Sequence, residues 1–504
     1  MCPVIDEFTD TMNGSPTGGL HCSSASSAWR AIVRKDVIMN EAMRLRARLD
    51  HPIIDADGHI IEHLPALVPY IRDEGVAADD LHLTVGGVIR PDIDTRAMTA
   101  NDLARLHIAR TTWWSLPSDA LDLATVTAPR LYRKRLDEFG IDYSVVYPSM
   151  GLGYVHINHD HIRVPACRAY NRYVAEAFVD VADRITAAAV VPMHTPQEAI
   201  AVLEHAVDDL GLKAVMIANY VRRPIPDVPR DALGAPWSWW LDLLGVDSAY
   251  DYDPFWRRCV ELGVSVSAHS GAMGIGTRNS PTNYMFNHTG HFGAAGEGLA
   301  RSLFLAGVTA RVPELRIAFL EGGVHWARGL LGDLVARWRK RSAGVIGHYD
   351  PRNTDRSLLA ALIAEHAPDL SARSSAEESV FTFSASNWPA EAADDFAAAD
   401  IGDERQFLDR FVTPFFFGCE ADDPLTPGAF DTEANPLGAR LQAMFSSDIG
   451  HWDVRDPTDV VPEAYEPVEH GQLTTADFRR FVYENAHTFF TAHDRDFFAG
   501  TAVA

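Results

Sequence analysis

The chain has 504 residues and a formal net charge of −25, from 69 acidic against 44 basic side chains. That excess excludes nucleic acid and an anionic membrane surface as partners, because both need clustered basic charge. Cys2, Cys22, Cys167, Cys259 and Cys419 are scattered with no CxxC pair, which excludes a thiolate metal cage and a disulfide scaffold and fits a reduced compartment. The start, Met-Cys-Pro-Val-Ile-Asp-Glu, is acidic and lacks an apolar segment, so no signal peptide is expected. No apolar run reaches the roughly 18–20 residues of a membrane helix. The expectation is a soluble, cytoplasmic protein.

Residues 1–30 are rich in Ser, Gly and Thr and read as a poorly ordered extension. Ala31 to Asp50 has helical spacing and many arginines and is expected to pack on the outside. Residues 1–50 thus form an N-terminal extension, and 51–490 carry the main domain. In that domain eight short β-favouring runs follow in order: Pro52–Asp57, Asp142–Tyr147, Ile185–Val191, Lys213–Ile217, Val264–His269, Leu315–Glu321, Pro414–Gly418 and Met444–Asp448. Several follow helix-like segments that stop at Gly140, Gly211 and Gly263, the usual C-terminal helix stop. Helix, glycine, buried strand, repeated, is an α/β pattern. Eight such strands predict a closed TIM (β/α)8 barrel. The segment at about 60–140 contains Trp113-Trp114 and reads as a lid after strand 1. After strand 6 a helix is expected from Trp326 to Arg341. An acidic, Ala-rich helical insertion follows at about 340–410. Residues 491–504 are left as a tail, and no internal repeat is found.

Five candidate metal ligands lie where four of these runs end. They are Asp57 and His59, then His269, Glu321 and Asp448. A parallel barrel gathers its strand C-termini at one face, so residues far apart in sequence can share an ion there. In Asp57-Gly58-His59 the two side chains are two apart on an extended segment and point the same way. Taken singly, each has a plainer reading. The DxH triplet can be a surface loop, and His269 a satisfied core histidine. Glu321 can pair with Arg328, and Asp448 can cap a helix. Jointly, two imidazoles and three carboxylates suit iron or manganese better than a thiolate zinc cage.

The order of these residues resembles the amidohydrolase-related superfamily, in its decarboxylase-like branch, from about residue 50 to 490. The resemblance implies a distorted TIM barrel with an HxH motif after strand one, histidines after strands five and six, and an aspartate after strand eight. Asp57-Gly58-His59, His269 and Asp448 take three of those places, and Glu321-Gly322-Gly323 replaces the strand-six histidine. Strand four ends near Ile217 and Asn219, so the bridging carbamylated lysine of some relatives is not expected. The segments Asp55–Glu62, Phe319–Trp326 and Ser446–Asp453 are similar to a subgroup that includes the nonheme diiron monooxygenase of platensimycin and platencin biosynthesis. That similarity implies two Fe(II) ions, O₂ as co-substrate, and hydroxylation of an aliphatic, acyl-CoA-linked or terpenoid-like substrate. The alternative is a single zinc or manganese ion in a hydrolase or nonoxidative decarboxylase.

Further residues attach to this centre. His451 is a candidate extra ligand or a hydrogen-bond partner of one, and His325 is either a candidate catalytic residue that orients Glu321 or meets substrate, or a surface helix residue. Tyr147 ends the second strand and is a candidate either for hydrogen-bonding a bound oxygen species or for lining the wall of the site. Glu62 reads better as a helix-terminal charge, and His288 and His291 as pocket residues that do not ligate metal. No phosphate-cradling glycine motif is present, so CoA would rest on Arg222-Arg223 and on Arg337 to Arg341, which read equally as solvated charge. Trp113, Trp114, Trp237, Trp239 and Trp240 are available to line an apolar pocket. The reductant, an external electron donor in the oxygenase reading, and the oligomeric state stay open.

Overall fold

A computed structural model describes residues 39–81, 98–110, 116–229, 238–269, 276–350, 353–373 and 394–504. Eight parallel strands form the central sheet: β1 (Ile54–Ile60), β2 (Tyr143–Pro148), β3 (Ile185–Val190), β4 (Ala214–Ile217), β7 (Val266–Ala268), β8 (Ile317–Phe319), β9 (Phe415–Glu420) and β10 (Gln442–Ser446). They pair in that order, in parallel register. The seam between β10 and β1 is drawn together just beyond β10. There the Asp448 N–H donates to the Asp57 carbonyl at 3.0 Å, and the His59 N–H to the Ile449 carbonyl at 2.9 Å. The result is a nearly closed TIM (β/α)8 barrel, and all eight expected strands are present. Two strands outside the barrel, β5 (Val221–Pro224) and β6 (Trp239–Asp242), form an antiparallel hairpin directly after β4.

The helix-to-strand junctions follow from local sequence. The helix Pro129–Phe139 stops at Gly140, whose φ of 74° is left-handed. Gly211 and Gly263 repeat the device with φ of 70° and 79°, a conformation costly for any residue with a Cβ. The chain then enters strands whose residues are almost wholly buried. Buried apolar side chains from the strands and their covering helices merge into one large core.

The opposite end of the barrel is sealed by the last residues of the chain. Phe497 and Phe498 are buried. The Phe498 ring meets Tyr143, at the start of β2, edge-on at 5.2 Å. Lys213, just before β4, donates to the Phe497 carbonyl at 3.2 Å. It therefore faces away from the strand C-termini and holds no metal-bridging position. At the other terminus, Asn40 caps the helix Glu41–Arg48, which buries Ala42 and Leu45.

Helices Leu64–Asp73, Ala100–Arg105 and Ala120–Thr127 lie between β1 and the helix that precedes β2. After β8, the helix His325–Arg341 is followed by helices Arg356–His366 and Pro368–Ser371. Trp113, Trp114 and Trp237, and the acidic stretch from 374 to 393, lie outside the described residues. Among the described residues, no helix is long and apolar enough to cross a membrane.

Candidate metal centre

The strand ends bring the five sequence-selected ligands together. His59 Nε2 lies 3.6 Å from Asp57 Oδ1 and 3.4 Å from Asp448 Oδ1. His269 Nε2 lies 4.0 Å from Asp57 Oδ1 and 3.2 Å from Glu321 Oε2. All five side chains are buried. Yet both Asp57 oxygens, both Asp448 oxygens, Glu321 Oε2, His59 Nε2 and both His269 ring nitrogens lack a hydrogen-bond partner. Buried polar atoms are normally satisfied, so a convergent set of exceptions calls for an explanation. The close His–carboxylate approaches are not aligned as hydrogen bonds; they are donors facing a common point.

Local backbone explains how each side chain reaches that point. Pairing of β1 with β2 shifts register between Asp55 and Gly58. Gly58 is required there because a Cβ would lie 2.6 Å from Asp55 Oδ2 and 2.8 Å from Ser144 Oγ. Asp55, beneath the site, accepts from the Ser447 N–H at 2.9 Å, the Asp57 N–H at 3.2 Å, Ser144 Oγ at 2.6 Å and Ser447 Oγ at 2.8 Å. It thereby locks β1 to the segment carrying Asp448. Glu321 and Asp448 adopt left-handed backbone, with φ of 59° and 49°. Such conformations are rare outside glycine and cluster at functional sites.

Burial and charge crowding set the electrostatics of the cluster. Burial pushes the Asp57, Glu321 and Asp448 carboxyls well above the usual range, and neighbouring carboxylates push them further. Burial holds His59 well below its ordinary value and lowers His269 to about 3. The imidazoles are thus neutral, as ligation requires, and the crowded carboxylates lack a counter-charge.

His451 sits against the cluster. Its ring lies 3.9 Å from that of His59, its Nδ1 2.7 Å from Asp448 Oδ1, and its Nε2 3.0 Å from Ser149 Oγ. Tyr147 is buried, with its ring 6.4 Å from His59 and 6.2 Å from His269 and its hydroxyl 2.7 Å from Ser267 Oγ. His325 is exposed at the start of its helix and lines the rim of a cavity that also contains Glu321. Arg328 turns to Asn435 Oδ1 at 2.6 Å, so it is not the partner of Glu321. Glu62 points elsewhere, accepting from the Met150 and Gly151 N–H groups at the start of a short helix.

Three acidic or imidazole groups complete the neighbourhood. Glu420, the last residue of β9, and Asp453 each place an oxygen within 4.8 Å of oxygens of Glu321 and Asp448. His288 comes within the same distance of Glu321 and Asp453. Sequence reasoning missed Glu420 by ending its strand at Gly418. The run Phe-Phe-Phe-Gly-Cys-Glu carried the signal, since a carboxylate closes an apolar run there as at Glu321. It also set aside His288, and it quoted Asp453 only inside a motif.

Two cavities flank the centre. One, of about 350 Å³, is lined by Leu116, Val126, His451, Trp452 and Arg455. The other, of about 340 Å³, is lined by His288, His291, Glu321, His325 and Glu420. The arginines considered for CoA are largely engaged. Arg223 pairs with Asp242 at 2.9 Å, Arg339 with Glu404 at 2.6 Å, and Arg341 with Asp395 at 2.9 Å.

Comparison with solved structures gives distant likenesses of the whole fold. An amidohydrolase of Mycobacterium avium subsp. paratuberculosis K-10 aligns with 16% identity and a TM-score of 0.50, over 88% of this chain and 100% of the other. A dihydroxybenzoic acid decarboxylase of Polaromonas sp. JS666, with bound manganese and 2-nitroresorcinol, aligns with 16% identity and a TM-score of 0.45, over 88% and 97%. A 5-carboxyvanillate decarboxylase of Novosphingobium aromaticivorans DSM 12444, complexed with manganese and 4-hydroxy-3-methoxy-5-nitrobenzoic acid, gives 14% identity and a TM-score of 0.44, over 88% and 96%. No curated protein matches the chain. Residues 54–370 match the family model described as amidohydrolase. That span is more than half of the 504 residues, and the chain belongs to the amidohydrolase family.

Proposed function

We propose that this protein is a metal-dependent enzyme that hydrolyses or nonoxidatively decarboxylates a small molecule at the C-terminal mouth of its barrel. The observation that carries the reading is the set of buried, unpartnered donor atoms of Asp57, His59, His269, Glu321 and Asp448. Uncompensated buried charge is costly, and a divalent ion removes the cost. Neutral imidazoles and carboxylates are a fitting donor set for manganese, iron or zinc. Asp57, His59, His269 and Asp448 would hold the ion. When bound, such an ion polarises a substrate carbonyl or carboxylate and acidifies coordinated water.

The chain supplies the remaining functions. The His451 imidazole, lowered to about 4 chiefly by burial, is neutral near pH 7 and can accept a proton at Nε2, where Ser149 holds it. Tyr147 is kept protonated by burial and by the nearby Asp57. It can act as a hydrogen-bond donor or acceptor toward a bound group, but not as an anion. His325, exposed where it lines the cavity, would meet substrate rather than the ion. The test is anaerobic turnover. Apo-protein reloaded with Mn(II) or Zn(II) under argon is assayed for CO₂ release from aryl carboxylates and for hydrolysis of amides and lactones. Turnover without O₂, abolished by chelation and by His269→Ala, is expected. Activity that strictly requires O₂ overturns the proposal.

A second reading, a nonheme diiron monooxygenase, draws on the replacement of a strand-six imidazole by Glu321 and on the extra carboxylate Glu420. Its signature is about two irons per chain and substrate-dependent O₂ uptake with an external electron donor. The ion pairs of Arg223, Arg339 and Arg341 favour a free substrate over a CoA-linked one in either reading.

A further inference from the structure

We propose that the cavity between Leu116 and Trp452 binds the far end of an amphipathic anion, an apolar substrate body that ends in a carboxylate held by Arg455. The inference rests on the reaction proposed above and names the class of molecule it would take. The pocket itself is separate from the ion site, since none of Asp57, His59, His269, Glu321 and Asp448 lines it.

The cavity holds about 350 Å³, which at roughly 30 Å³ for a water-sized group is room for about twelve non-hydrogen atoms. That is the size of a small-molecule pocket. Leu116, Val126, Ile449, Trp452 and Val454 give it an apolar wall. Val126 and Ile449 are buried, whereas Leu116 is 42% exposed, so the wall runs from the core out to solvent. Trp452 is fixed in it by edge-on contacts with Tyr284 at 6.2 Å and His288 at 5.5 Å.

Charge is sorted along this wall. Asp122 pairs with Arg135 at 2.7 Å. Asp119 accepts from the Leu121 and Asp122 N–H groups at 2.8 and 3.1 Å and so caps its helix. Arg455 is exposed and makes no ion pair or hydrogen bond among the described residues. Glu463 lies only near enough to feel its charge. At the inner end stands His451, whose Nδ1 is 2.7 Å from Asp448 Oδ1. An apolar body laid in the cavity thus joins two fixed points. Its reacting carbonyl or carboxyl meets His451 and the ion, and its other end reaches Arg455 at the solvent. A guanidinium matches a carboxylate with paired N–H···O bonds. Because that end stays in water, the penalty of a buried charge does not oppose it. A cationic end would be repelled, and a neutral end would gain nothing. The chain carries a net charge of −25, so any preference for an anion must come from a local group.

The full-length protein, stripped with chelator so that no ion takes part, is titrated calorimetrically with decanoate, decan-1-ol and decylammonium. Decanoate should bind about two- to fivefold more tightly than decan-1-ol, the worth of an exposed charge pair, and decylammonium should bind most weakly. Arg455→Met should bring decanoate to the level of decan-1-ol and leave decan-1-ol unchanged. Leu116→Asp, a change at an exposed position, should weaken both. No binding, equal affinity for the three probes, or a preference for decanoate that survives Arg455→Met overturns the proposal. The order of the three probes is read on unaltered protein, so misfolding of a variant cannot decide the outcome. Decanoate binding without any metal-dependent turnover overturns the reaction and leaves the pocket standing. Turnover without decanoate binding does the reverse.

Discussion

Asp55 offers the sharpest test of how the barrel holds its site. Its buried carboxylate takes four hydrogen bonds, from two backbone N–H groups and two serine hydroxyls. Asp55→Ala strands the Ser447 and Asp57 N–H groups in the interior, at about 1–3 kcal/mol each. Part of that loss is offset, because burial already disfavours the ionised carboxyl and raises it above its ordinary value. The expected cost is therefore about 2–4 kcal/mol of apo-protein stability. Asp55→Asn keeps one carbonyl oxygen for both N–H groups, and the serine hydroxyls can turn to accept from its amide. It should cost about 1–2 kcal/mol. The same change should weaken Mn(II) binding by about 10–100-fold, the usual effect of removing a group that orients ligands. Urea unfolding of the stripped protein gives the first quantity, and competition with a metal-sensitive dye gives the second. If Asp55→Ala lies within about 0.5 kcal/mol of wild type, inside the range of ordinary surface changes, then Asp55 does not close the seam and the reasoning fails.

Two other outcomes follow from the same structure. His156 is buried and lowered to about 3, first by burial and then by the nearby charges of Arg222 and His291. Between about pH 6.5 and 3 the unfolded chain binds a proton there that the folded chain refuses, so folding stability must fall as pH falls through that window. His156→Gln should flatten the fall by up to one proton's worth, about 1.4 kcal/mol per pH unit, and an unchanged pH slope refutes the assignment. Metal removal should also register in melting. Free ion at a hundredfold excess over Kd contributes about 2.7 kcal/mol. With an unfolding entropy of about 2.1 cal/mol/K per residue over 504 residues, chelation should lower Tm by about 2–3 °C. Restored Mn(II) should reverse it, and an insensitive Tm would count against any bound ion.

The fold was legible because barrel strands advertise themselves. Val145, Val146 and their like in the other strands are buried on both faces, so the runs are apolar throughout and stand out from amphipathic helices. Gly140, Gly211 and Gly263 mark the entries to three of them by their left-handed backbone. The candidate ligands stood out for the same reason, since each is a carboxylate or imidazole that ends an otherwise apolar run. What could not be read was the geometry beyond the strands. Asp453 and His288 come from segments with no periodic pattern, and only folding brings them to Glu321. Arg328 looked like a partner for Glu321 on spacing alone, but its helix turns it toward Asn435. Spacing along a helix says which residues share a face, not which way that face looks.

Strain and charge crowding coincide at the same two residues. Glu321 and Asp448 both hold left-handed backbone, at roughly 1–2 kcal/mol each for an L-residue. Both also carry carboxyls displaced by burial and by each other's neighbours. Glycine at either place would relieve the backbone but delete a donor. The surrounding chain instead gives way: Gly322 and Gly323 follow Glu321, and Gly450, at φ 123°, passes His59 where a Cβ would lie 3.1 Å from its carbonyl oxygen. The chain thus yields next to the donors and not at them. A fold selected only for stability would reverse that choice, removing the carboxylates and keeping ordinary backbone. Retaining both costs at one point is economical only if a single bound species offsets the charge, and a divalent cation does so while using the side-chain directions that the strained turns create.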